Sequence, residues 1–165
     1  MTDEPLSAPP VDALAAVPRV FGHCPRPRPP LLLSVVLPGL PEQAAVLRCR
    51  LRDLGALPAD LVSTVELLAT ELFANAVRRT RSGRPGGTVL VTVCRMAGYV
   101  QVGVTDDGPL PHAVDTPHVR SFDLGREGGL GLLTVHRMAA RWGTVHGSGR
   151  TTVWFDLDAP SRPAA

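Results

Sequence analysis

The chain has 165 residues, enough for one domain with a proper core and too few for two ordinary ones. Its formal net charge of +2 gives no case for a nucleic-acid surface, and all 17 cationic residues are arginine. Without lysine, a phosphate loop of the G-x-x-x-x-G-K-[ST] type and any Schiff-base chemistry are both excluded.

Residues 1–30 hold eight of the 17 prolines. Proline removes backbone donors and biases its neighbours toward extended conformations, so this stretch is expected to be a disordered tail, with PRPRPP at 25–30 read as solvated chain. The N-terminus lacks a basic start followed by an apolar core, so no secretion signal is expected and the cytoplasm is the default. The longest apolar run, at 31–37, is far shorter than the roughly 20 residues that span a bilayer. Cys24, Cys49 and Cys94 are odd in number and widely spaced, which predicts reduced thiols.

The run 31–37 is bounded by Pro30 and Pro38 and reads as a strand that opens the domain. Pro41 suits a first helical position, and Ala44, Leu47, Leu51 and Leu54 follow at helical spacing, giving an amphipathic helix whose Arg48, Arg50 and Arg52 face solvent. A second helix is predicted from about 58 to 80, with Leu61, Val65, Leu68, Leu72 and Ala76 on one apolar face. Glu71 and Asn75, four residues apart, stack at the margin of that face. A carboxylate and an amide there need partners, either neighbouring donors or a ligand in a cleft.

RSGRPGG at 81–87 ends the helix. Val89, Val91 and Val93, then Val100, Val102 and Val104 after Ala97-Gly98, alternate as two strands of a hairpin. The second strand runs into Asp106-Asp107-Gly108-Pro109, a turn sequence. From there to Gly128 the chain has no periodicity, as in a lid or binding loop. Gly128-Gly129-Leu130-Gly131 precedes Leu132, Val135, Ala139 and Trp142 at helical spacing, and glycines before a helix suit either a tight turn or an anion at backbone N–H groups. Residues 143–146 and 151–157 read as two more strands around Gly147-Ser148-Gly149, and 159–165 as a loose end. His112, His118, His136 and His146 show no metal-ligand spacing.

An acid and an amide on a helix, an Asp-Asp-Gly after a strand and a glycine motif before another helix stand in the wrong order for a dinucleotide-binding unit. In this order, ATELFANAV, VTDDGP, GGLGLLTVHRMAARWG and GRTTVWFDL resemble the histidine-kinase-like ATPase superfamily, shared with gyrase, chaperone and mismatch-repair ATPases. The likeness is nearest to the branch of bacterial anti-sigma-factor serine kinases and their actinobacterial relatives, and covers roughly residues 31–158. It implies an α+β two-layer sandwich, a mixed, largely antiparallel sheet covered on one face by helices, with ATP between the helices and a lid.

By motif position the resemblance makes Glu71 the catalytic carboxylate that orients and deprotonates the attacking hydroxyl, and Asn75 the amide that binds Mg²⁺. It makes Asp106 the acceptor for the adenine amino group, with Gly108 allowing close approach, and sets Gly129 and Gly131 against the phosphates and Thr152 near the adenine. Arg79 stands where relatives usually have histidine, and Leu110 where they have glycine, departures that bear on turnover more than on binding. The function implied is an ATP-dependent serine/threonine kinase acting on a small anti-anti-sigma-type partner. The alternatives are a module that binds ATP or sequesters a sigma factor without catalysis, and a free-standing ATPase. A homodimer is a further expectation of the resemblance. A sensor histidine kinase is not expected, for want of a membrane span, a dimerising coiled coil or a phospho-acceptor histidine on a preceding helix.

Overall fold

A computed structural model describes residues 30–111 and 130–159. The element order is β1 (Leu31–Pro38), α1 (Gln43–Arg52), α2 (Ala59–Arg79), a short 3-10 turn (Arg81–Gly83), β2 (Thr88–Met96), β3 (Tyr99–Asp106), α3 (Leu130–Met138), β4 (Arg141–Gly147) and β5 (Arg150–Asp158). The strands lie in the order β1-β2-β3-β5-β4, and every pairing is antiparallel. The two-layer α+β sandwich implied by the sequence is therefore present; residues 1–29 of the expected tail, the span 112–129 and residues 160–165 lie outside the described residues, while Ala159, expected in the loose end, is buried and donates its N–H to the Gly98 carbonyl at 2.9 Å.

Alternation decides which face of the sheet is buried. Val91 pairs with Val104 and Val93 with Val102, while Val102 pairs with Phe155 and Val100 with Leu157, so one face is a continuous apolar surface. Onto it α1 places Leu47 and Leu51, α2 places Val65, Leu68, Leu72 and Phe73, and α3 places Val135. Burying such side chains contributes roughly 1.5–3 kcal/mol each, which makes α2 the main organiser of the helix layer. Arg52 also joins α1 to α2 through a forked pair with Glu66 at 2.9 and 2.7 Å, the guanidinium largely exposed and the carboxylate mostly covered. Cys49 and Cys94 are unpaired, as their spacing predicts.

Two helix boundaries differ from the periodicity. The first helix starts at Gln43, because Pro41 and Glu42 form a turn in which Gln43 N–H reaches the Leu40 carbonyl at 3.0 Å. The third stops at Met138, since Ala140 N–H donates to the Asp156 carbonyl at 2.9 Å and the chain enters the sheet. Trp142 keeps its apolar contact from β4 instead, opposite Phe155, with its indole N–H donating to His136 Nδ1 at 3.2 Å. A residue that packs on the core from a strand happened to fall at helical spacing.

The opposite sheet face carries a buried charge. Asp156 is 1% exposed; Gln101 Nε2 donates to its Oδ1 at 3.0 Å, and Arg141 Nη2 lies 2.8 Å from Oδ2 while its guanidinium stacks over Tyr99 at 5.2 Å. Removing the arginine leaves the carboxylate buried with one donor. Because Arg141 is itself half exposed, water takes up part of the loss, and Arg141→Ala is expected to cost about 1–2 kcal/mol in chemical denaturation, below the usual cost of breaking a fully buried pair. A midpoint equal to that of wild type would show that Gln101 alone suffices.

Candidate functional site

The long helix α2 brings the first group of residues together. Seven of its residues are buried, among them Asn75 at 9% exposure, while Glu71 one turn earlier is half-buried. Among the described residues the Glu71 carboxylate has no hydrogen-bond or ion-pair partner. Gly131 faces both: a Cβ there would stand 2.8 Å from Glu71 Oε2 and 3.0 Å from Asn75 Nδ2. The glycine expected ahead of the third helix is thus inside its first turn, where a side chain would collide with the acid and the amide. Gly129 lies outside the described residues.

The amide of Asn75 has one satisfied end. Arg78 Nη2 approaches Oδ1 at 3.4 Å, whereas Nδ2 is buried without a partner. A buried orphan donor asks for an explanation, and half a turn of the amide would put its oxygen toward Gly131. Among the described residues no group of three or more His, Cys, Asp or Glu converges as a metal cage. Mg²⁺ keeps waters and takes one or two protein ligands beside substrate phosphates, and an amide oxygen turned toward Gly131 would be one such ligand.

Asp106 ends β3 on the core face, 6% exposed, opposite Thr151. Burial pushes its carboxyl above the ordinary carboxylate range; the Gly108 N–H, donating to Oδ1 at 2.6 Å, opposes this, Asp107 adds to it, and His146 and the Thr151 backbone oppose it. Gly108 has φ +85°, and a Cβ would lie 2.2 Å from the Gly149 carbonyl oxygen, so the turn closes against the β4–β5 loop only with glycine here. Thr152 is not brought to Asp106. It pairs with Thr105 on the other sheet face, hydroxyl to hydroxyl at 2.8 Å, and the threonine beside Asp106 is Thr151.

Two residues outside the sequence motifs hold this turn. Arg81 Nε donates to the Asp107 carbonyl at 2.7 Å and Nη2 to the Gly149 carbonyl at 2.8 Å. The buried Ser82 hydroxyl donates to the Thr88 carbonyl at 2.6 Å and accepts from Asp107 N–H at 2.8 Å, while Asp107 Oδ2 accepts from Thr88 N–H at 2.7 Å. Asp107, expected as a turn residue, is that. A cleft of 730 Å³ lies against this scaffold, lined by Arg81, Arg84, Asp107 and Arg150 among others, but by none of Glu71, Asn75, Asp106 or Gly131. It is not the place where the predicted residues meet.

Residues 37–157 match a family model described as histidine kinase-like ATPase domain, and no curated protein matches the chain. Among solved structures, the RsbU and RsbW domains of Rv1364c from Mycobacterium tuberculosis superpose with a TM-score of 0.55 at 20% identity, over 81% of this chain and 33% of that one. The blue-light activated histidine kinase of Erythrobacter litoralis EL346 gives 0.49 at 20% identity over 73% and 42%, and its histidine kinase domain 0.47 at 22% over 74% and 62%. The chain therefore spans about a third of the first and under two thirds of the others, and at these identities the likeness to the first is one of fold. No helix among the described residues is long and apolar enough to cross a membrane. With a family model covering most of its length and the matching fold, this chain belongs to the histidine kinase-like ATPase domain family.

Proposed function

We propose that the chain is an ATP-binding regulatory protein that transfers the γ-phosphoryl group of ATP to a serine hydroxyl of a small anti-anti-sigma-type protein. The observation that carries this reading is the meeting of an unpartnered carboxylate, Glu71, and a buried amide, Asn75, at the first turn of α3. Glu71 takes the proton of the attacking hydroxyl as its oxygen bonds to phosphorus and the bond to the β-phosphate oxygen breaks, releasing ADP. Asn75 would hold Mg²⁺ through its amide oxygen, and the ion would supply charge to offset that of the phosphates. Asp106 accepts a hydrogen bond from the adenine amino group, with Gly108 fixing its carboxylate. Gly131 leaves room at the phosphate end. In this reading Thr151 takes the place that the resemblance gave to Thr152. A homodimer and a cytoplasmic setting belong to the same reading.

One observation favours a second reading, a module that binds ATP or a sigma factor and transfers nothing. Arg78 already donates to Asn75 Oδ1, and that bond has to break before the amide oxygen can turn toward Gly131 and a metal. Equilibrium ATP binding with and without Mg²⁺, followed by transfer of labelled phosphate to candidate partners, separates the two. Mg²⁺-dependent binding with transfer supports the kinase; Mg²⁺-independent binding without transfer supports the module. Phosphate release in the absence of any partner would instead mark a free-standing ATPase.

Gly131 gives a sharper check. Alanine favours a helix by about 1 kcal/mol over glycine, so Gly131→Ala should not destabilise α3. Its methyl group displaces the end of the Glu71 side chain, which is flexible enough to move, and presses on the buried Asn75 amide, which has to give by a few tenths of an ångström. We expect a melting temperature close to that of wild type with phosphoryl transfer slowed about tenfold, the effect of a small misplacement of a reacting group. Full transfer activity in that variant would mean that the carboxylate position is not critical.

A further inference from the structure

Arg81 belongs to no motif of the family resemblance, and its position after α2 reads as part of a helix break. Its bonds say more. The Asp107 carbonyl that accepts from Arg81 Nε and the Gly108 N–H that donates to Asp106 Oδ1 are the two ends of one peptide group. That group is planar, so fixing its C=O fixes the direction of its N–H. A cation thus stands at one end of a two-bond chain, 2.7 Å and then 2.6 Å, with the Asp106 carboxylate at the other. Hydrogen bonds in such a chain polarise one another, and each strengthens its neighbour.

The same residue holds the turn on two further sides. Its backbone N–H donates to the Gly108 carbonyl at 2.9 Å, and its Nη2 reaches the Gly149 carbonyl in the β4–β5 loop. The strand that follows this loop carries Thr151 opposite Asp106. Arg81 therefore ties both members of the Asp106–Thr151 pair to the end of α2, the helix that carries Glu71 and Asn75. The plainer account is a staple between two loops, which would serve stability alone.

We propose that Arg81 is a positioning residue for base recognition: acting through the Asp107–Gly108 peptide, it sets the orientation of Asp106 toward the adenine amino group. The proposal rests on the nucleotide site proposed above. It requires the planar fork of arginine, because one guanidinium has to serve two carbonyls at once, and lysine offers only a compact point charge.

The test uses the full chain and calorimetric titration of ATP and GTP, with melting temperatures of the unliganded proteins recorded alongside. For Arg81→Leu we expect ATP affinity to fall about tenfold with GTP affinity unchanged, the scale of one charge-assisted hydrogen bond, and Arg81→Lys should lie between it and wild type. Equal losses for both nucleotides, or a lowered melting temperature with the ATP-to-GTP ratio intact, would reduce Arg81 to a structural staple and overturn the proposal. Should leucine prevent folding, the lysine variant decides by the same ratio. A folded wild type that binds neither nucleotide overturns the underlying site, and this inference with it; a wild type that prefers ATP and a variant with the same preference overturns the inference alone.

Discussion

Replacing Glu71 with glutamine is expected to slow phosphoryl transfer by about 100-fold to 10,000-fold while ATP binding stays close to that of wild type. The range is that of general-base catalysis, and glutamine isolates it: the side chain keeps its length and hydrogen-bonding capacity but cannot take a proton. The geometry favours so clean a separation. Glu71 has no partner among the described residues whose loss would disturb the fold, and it is half-buried beside the start of α3. In the proposed reading Asn75, one turn further along α2, is left to bind at the phosphate end. The measurement is transfer of labelled phosphate to the partner at saturating ATP, with equilibrium binding run in parallel. Normal transfer by the glutamine variant would remove Glu71 from the chemistry. Loss of binding together with transfer would give it a place in holding the nucleotide instead.

Much of the fold was legible because it rests on local patterns. The alternating valines of β2 and β3 mark their faces without any tertiary information, and Ala97-Gly98 marks the hairpin between them. Leu61 to Ala76 marks α2 in the same way, and the stacking of Glu71 and Asn75 follows from their spacing on it, though only the family resemblance gives them roles. Where reading failed, the deciding contact was distant. Trp142 fits a helical face, yet β5 captures it as a strand residue. Thr151 and Thr152 are neighbours in a motif, and only the register with β3 decides which of them meets Asp106. Arg81 finds its partners 26 and 68 residues away, at main-chain carbonyls whose identity no side-chain pattern records. A glycine-rich helix break was the visible signal; the residues it positions were not.

Asp106→Asn is expected to act in opposite directions on stability and on binding. In the unliganded fold Asp106 is deeply buried, and burial holds its carboxyl above the ordinary carboxylate range despite the Gly108 N–H and the neighbouring His146. The folded state therefore binds this proton more readily than the unfolded state does. As pH rises from the ordinary carboxylate range through the raised value, stability falls, because ionisation is penalised only in the fold. Asparagine removes that penalty and still offers an oxygen to the Gly108 N–H. The variant should melt higher than wild type at neutral pH, and the gap should close as pH drops below the ordinary carboxylate range, where wild-type Asp106 is protonated in both states. A gap that does not change with pH would mean that burial of the charge is not its cause. Binding should move the other way. A hydrogen bond to a charged acceptor contributes about 1.5–3 kcal/mol, so ATP affinity should fall roughly 10-fold to 100-fold while GTP is spared. A carboxylate whose removal stabilises the empty protein and weakens the filled one is kept for the ligand, and equal or better ATP binding by the asparagine variant would take Asp106 out of base recognition.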